Sequence, residues 1–221
     1  LVKVMINEMQ ACGWDLKAAA ESIAPGVVYW RADDKYFAFE SYTCKVMFES
    51  FHFPYFTMSK DPVPPEKRMF FRRFLELKSV KPKEYLASKP RSIFAKFLRA
   101  KYSKLVHPKM EMSFYGDTNQ RDVVASGGFP DSALFAAFAE AARRVWLLHC
   151  LAFSFQPEAS MFQVEAGSRF SEVYMECVAE DAFSSSANAP EADPPVAFTV
   201  VPGFRIGKTV LQCQVYLSQL R

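Results

Sequence analysis

The sequence predicts an α+β fold, with a mainly helical body over residues 1–155 and a small antiparallel β-sheet at the C-terminal end, over 156–221. Three observations carry that prediction. Apolar residues recur at spacings of three and four through most of the first 155 positions. The second half of 132–155 is hydrophobic nearly all round, which suits a helix in the middle of a fold. Beyond it the pattern changes to short apolar runs broken by glycine and proline. Half of the 221 residues are hydrophobic and 22 are Phe, enough at this length to bury a substantial core. A single domain is expected over 1–221, because the last strands lack an independent core.

In chain order, Val2, Met5, Met9, Cys12, Leu16, Ala19 and Ile23 form one stripe and predict a helix over 1–24, stopped by Pro25-Gly26. The alternation fits core packing or the tail of an upstream coiled coil, through which a longer parent would form a homodimer. The chain begins in mid-pattern without an initiator Met, as a piece of a longer protein would. Residues 32–51 are a second helix, opened by Asp33-Asp34 near its positive end. A proline-rich loop follows at 57–65, and Pro64-Pro65-Glu66 starts a helix carrying Met69, Phe70, Phe74, Leu75 and Leu77. A boundary falls at Lys81-Pro82. Ser92 caps a helix through Val106 that His107-Pro108 ends. After a polar stretch at 116–121, Asp131 or Ser132 caps the central helix, which runs to about Phe155. Residues 161–164 and 170–178 read as strands, although 170–181 fits a helix equally well. A Ser-, Ala- and Pro-rich loop spans 184–195, and 196–201 with 209–217 form an antiparallel hairpin.

Catalytic and metal chemistry find no pattern here. The three His have no ligand spacing, and the five Cys form no CxxC pair, so they read as free thiols of a reducing compartment. Gly203-Phe-Arg-Ile-Gly207-Lys208-Thr209 has three residues between its glycines where a phosphate loop needs four. A strand alternation follows it instead of a helix, so its glycines are turn residues. No metal, cofactor or catalytic residue is expected, and the chain reads as a non-enzymatic interaction module. The longest dense apolar stretch, 145–155, is far below the ~20 residues that span a bilayer.

Charge is more informative in its distribution than in its sum of +3. Residues 67–109 hold fourteen Lys or Arg, against Glu76 and Glu84 with Glu66 just outside, whereas 158–193 holds eight acids and one Arg. The cations of the first stretch are interleaved with Phe70, Phe71, Phe74, Tyr85, Phe94, Phe97 and Tyr102. Arg72, Arg73, Lys78, Lys81 and Lys83 are therefore candidates for binding an anionic partner, joined by Arg205 and Lys208 in the C-terminal turn. That partner could be a protein or an anionic (phosphoinositide) membrane surface. Nucleic acid fits least, since no recognition motif accompanies the cations. The bland alternative is an ordinary solvated helix face with the aromatics turned inward.

Residues 3–10 (KVMINEMQ), 25–30 (PGVVYW), 40–48, 97–110, 144–150 (RVWLLHC), 170–176 (FSEVYME) and 200–210 (VVPGFRIGKTV) are similar to the plant family of gravitropic-in-the-light proteins and IRK-interacting protein. The resemblance spans essentially the whole chain. It implies the C-terminal domain of a plant scaffold or adaptor with a coiled-coil-containing N-terminal region. It also implies a role in growth-orientation (gravitropism) signalling, with a leucine-rich-repeat receptor kinase as partner; the adaptor reading itself leaves a cytoskeletal or signalling protein open as well. The location it implies is cytoplasmic, with recruitment to the inner face of the plasma membrane. It brings no catalytic residues to carry over.

Overall fold

The computed structural model describes residues 1–57, 66–179 and 194–218. Helices occupy the chain up to residue 154 and strands follow from 159, so the α+β class and its order along the chain stand as expected. Internal packing divides the chain into two compact units. One comprises Leu1–Gly13 with Val46–Glu158, the other Trp14–Lys45 with Ala159–Arg221.

The first boundary coincides with a break that the periodicity hides. Residues 1–24 form two helices, α1 (Val2–Ala11) and α2 (Leu16–Ile23), where one was expected. Gly13 takes φ +70°, a left-handed conformation that glycine adopts without steric cost, and so ends α1. Asp15 then caps α2, its carboxylate accepting from the amides of Lys17 and Ala18 at 2.9 and 3.0 Å. The three-and-four spacing runs on through the break in the sequence because the four residues between the helices are close in number to one helical turn.

The second unit joins α2, a 3-10 turn (Ala32–Lys35) and most of α3 (Tyr36–Phe48) to the six strands found among the described residues. These are β1 (Ala159–Phe162), β2 (Met175–Cys177), β3 (Val196–Val201), β4 (Gly203–Ile206), β5 (Thr209–Leu211) and β6 (Cys213–Leu217). They form two three-stranded sheets, β1-β4-β5 and β2-β6-β3, where a single small sheet was expected. The expected hairpin is present as the antiparallel β3–β6 pair, Val196 opposite Leu217. Its connection is itself a hairpin, β4–β5, turning at Gly207-Lys208 and pairing outward with β1. Within 170–178 only β2 is strand, and it runs parallel to β6. A parallel pair needs a long crossover, and the residues between 177 and 213 supply it. The expected loop at 184–195 lies mostly outside the described residues.

Met175, Val196, Cys213, Val215 and Leu217 form the core of this unit, with Phe162, Val164 and Phe170 packed on it. Polar pairings tie its N-terminal part to the strands. The Tyr216 hydroxyl accepts from the Trp30 amide at 2.8 Å and donates to Asp34 at 2.9 Å, and the Trp30 indole donates to the Leu217 carbonyl at 2.7 Å. Ser41 donates to the Thr199 carbonyl at 2.6 Å.

Among the described residues the other unit is helical: α1, the end of α3, a short 3-10 turn (Pro54–Thr57), then α4 (Lys67–Leu77), α5 (Pro82–Ser88), α6 (Ile93–Leu105), α7 (Pro108–Tyr115), α8 (Asn119–Ala125) and α9 (Ala133–Ser154). The expected start at 64–66 lies mostly outside the described residues, but α4 begins where it points. Ser92 and Ser132 cap α6 and α9 as anticipated, accepting from Ala95 and Phe135. His107-Pro108 does end α6, but the same proline opens α7 at its first position, where a missing N–H costs nothing. Part of the polar stretch at 116–121 belongs to α8. Helix α9 is the centre of the unit, packed by α1, α4, α5 and α6. Its Trp146 is 2 % exposed and lies among Tyr55, Phe56, Phe94 and Phe97. Tyr55, Phe56 and Thr57 all take positive φ, and the burial of the two aromatic rings holds that unfavourable backbone in place.

Candidate functional site

The basic stretch 67–109 builds α4, α5 and α6, and packing on α9 sorts its cations. On α4, Phe70 and Leu77 are buried toward α9, which turns Arg68, Phe71, Arg72 and Leu75 outward. Phe71 and Leu75 remain 48 % and 45 % exposed, one turn apart, with Arg68 and Arg72 equally one turn apart beside them. Lys78 follows the end of α4, Lys81 occupies the position just before α5 without a side-chain cap and Lys83 lies in its first turn, all three exposed. Arg143 of α9 donates to the Leu77 and Lys78 carbonyls at 3.4 and 3.0 Å, closing the negative end of α4 and fixing the chain at Lys78.

Arg73 is only half-exposed. Its guanidinium lies 4.5 Å from the Tyr55 ring centroid, with Nε buried and making no hydrogen bond. Arg72 makes a loose pair with Glu76 at 3.9 Å, and Lys89 reaches the same carboxylate at 2.9 Å. Lys83 lies 5.8 Å from the Phe129 ring centroid.

Lys101 shows how far a linear count of charge can mislead. It is 2 % exposed and donates to the carbonyls of Val46 and Glu49, at 2.7 and 2.9 Å, where α3 ends. Burial pulls its ammonium down to about 8, with Glu49 opposing. Lys101 is thus a strut for α3 and takes no part in an exposed face. Tyr102, on the same helix, donates to Glu111 at 2.9 Å, and Glu111 also pairs with Arg121 at 3.1 Å.

Arg205 and Lys208 belong to the other unit. Arg205 lies on β4 with its guanidinium 5.8 Å from the Tyr174 ring centroid, and Lys208 sits exposed in the β4–β5 turn. The seven candidates are therefore divided, five on the helical unit and two on the sheet-bearing one. The apparent phosphate loop is the β4–β5 hairpin. Gly207 takes φ +58° in its turn, while a Cβ on Gly203 would come within 2.4 Å of the Phe162 ring. Close packing against Phe162 explains Gly203.

Among the described residues no group of three or more His, Cys, Asp or Glu could hold a metal, and no disulfide joins the five Cys. No helix among them is long and apolar enough to cross a membrane. His149 is fully buried, its Nε2 donating to the Phe53 carbonyl at 3.0 Å, and desolvation pulls its imidazole down to about 4. It packs among the rings of Phe51, Phe56, Phe70 and Phe153. A second group of cations, Lys17, Arg31 and Lys35, gathers around one cleft. Irregular spacing kept that group out of view in the sequence.

Fold and surface together define an α+β module with an exposed face of cations and apolar side chains on its helical unit. Residues 161–216 match the family model described as the GIL1/IRKI C-terminal domain. It is 34 % identical to Protein GRAVITROPIC IN THE LIGHT 1 of Arabidopsis thaliana, over 97 % of this chain and 42 % of that protein. It is also 39 % identical to the IRK-interacting protein of Arabidopsis thaliana, over 37 % of this chain and 14 % of that protein. The chain thus spans less than half the length of these curated relatives. No solved structure matches it.

Proposed function

We propose that the chain is a non-enzymatic adaptor module in growth-orientation signalling, whose α4–α5 face docks an acidic surface of a partner protein. The observation that carries this reading is α4 itself, which leaves Phe71 and Leu75 nearly half exposed beside Arg68 and Arg72. Apolar anchors ringed by cations suit a partner that offers carboxylates around an apolar surface. One relative is named for interaction with IRK, so the intracellular part of a receptor kinase is the partner class to try first. Arg72, Lys78, Lys81 and Lys83 steer the encounter, Arg73 adds charge from below, and Arg205 and Lys208 offer a separate basic point.

The test is binding of the chain to an immobilised receptor-kinase intracellular domain. Reversing Arg72, Lys78, Lys81 and Lys83 to Glu is expected to weaken binding at least ~10-fold and flatten its salt dependence, with the thermal melt unchanged. Equal binding by both forms would remove the basic face from the account. The exposed Phe71 and Leu75 also fit the headgroup layer of an anionic membrane, which is the second reading. Salt-sensitive flotation with phosphoinositide liposomes, absent with neutral ones, would favour it over a protein partner.

A further inference from the structure

The sheet-bearing unit contains a cleft of about 340 Å³ that no part of the docking reading uses. Lys17 and Glu21 line it from successive turns of α2, and Val27, Val28, Tyr29, Arg31, Ala32 and Lys35 complete its wall. Val27 is buried, and with Val28, Ala32 and the Tyr29 ring it makes an apolar surface. Three cations stand against one carboxylate, and that carboxylate is already engaged, accepting from the Gly26 amide at 3.0 Å. The Tyr29 hydroxyl is buried and makes no hydrogen bond. Burial, with the Glu21 charge adding to it, pushes that hydroxyl up to about 12, so it remains a donor.

We infer that this cleft binds a small amphiphilic carboxylate, its apolar body against Val27, Val28 and Tyr29 and its anionic head at Arg31, Lys35 and Lys17. The guanidinium of Arg31 supplies the planar fork that suits a carboxylate. The volume lies within the range of small-molecule sites. An inorganic anion would leave the apolar wall uncovered, and an uncharged apolar molecule would leave the cation excess unanswered.

The test is a titration of the full chain with octanoate, followed through the methyl resonances of Val27 and Val28. Octanol serves as the uncharged control and inorganic phosphate as the charge-only control. Saturable shifts with octanoate are expected, at least ~10-fold weaker with octanol and absent with phosphate. Arg31→Gln with Lys35→Gln should weaken octanoate binding by a similar factor, and Tyr29→Phe by less. Shifts that do not saturate, or phosphate binding as tightly as octanoate, would overturn the proposal without any variant. Unchanged affinity in a folded Arg31→Gln, Lys35→Gln chain would overturn it as well.

Discussion

Acidification from pH 8 to pH 5 is expected to cost the chain about 2 kcal/mol through His149 alone. The folded imidazole is held at about 4, whereas the unfolded chain binds its proton near the ordinary value of 6.5. Its stabilisation is therefore complete above pH 6.5 and lost as pH falls from there to about 4, below which the loss levels off near 3 kcal/mol. The geometry explains the sign. Nε2 donates to the Phe53 carbonyl, and Nδ1 is buried with no partner, so a second proton would have no acceptor. Stacking on Phe56 at 4.2 Å and an edge contact with Phe51 at 5.1 Å close the site to water. The assay is urea unfolding of the chain and of His149→Gln at pH 8 and pH 5, which cancels the carboxylates common to both. The wild type should lose about 2 kcal/mol more than the variant over that interval. Direct titration of the folded imidazole by NMR gives a second readout that needs no variant. Equal pH dependence of the two proteins, or a His149 resonance titrating near 6.5, would refute the reasoning.

Two other substitutions follow from the packing. Gly203→Ala places a Cβ 2.4 Å from the Phe162 ring and 2.8 Å from the Cys213 backbone nitrogen, and should destabilise the chain by about 1–3 kcal/mol in urea unfolding. Tyr102→Phe removes one of the donors to the fully buried Glu111 carboxylate and should cost about 1–3 kcal/mol, seen as a lowered melting temperature.

Local chemistry made several elements readable. Ser92 and Ser132 announce α6 and α9, and the strand-like runs at 196–201 and 209–217 contain the β3–β6 pair, whereas Lys81-Pro82 read only as a boundary and not as the start of α5. The misses share a physical cause: the same residue can serve two states. Pro108 read as a stop and also starts a helix, while Gly13 broke a helix without breaking its apolar phase. The parallel β2–β6 pair and the inserted β4–β5 hairpin depend on partners far along the chain, which periodicity cannot register. At the candidate face, charge clustering pointed to α4–α6, but only packing decides which cations face outward. Lys101 went inward because α3 ends beside it, more than fifty residues earlier in sequence. Lys17, Arg31 and Lys35 carry no spacing rule at all, since a helix, an irregular segment and a 3-10 turn each contribute one.

The interleaving of the two units along the chain bears on the order in which they can close during synthesis. The helical unit has all its residues once position 158 has been made, but the other unit needs both its early and its late parts. Trp30 waits for Tyr216, 186 residues later. At ribosomal rates of ~5–20 residues per second that interval is roughly 10–40 s, long beside the folding time of most small domains. During it α2 and the segment around Trp30 have no strands to pair with, and a nascent-chain chaperone would find them open. The stretch matched by the family model, 161–216, is accordingly the last part of a structure whose first part was made far earlier, and expressing it by itself would strand Tyr216 without Trp30 or Asp34.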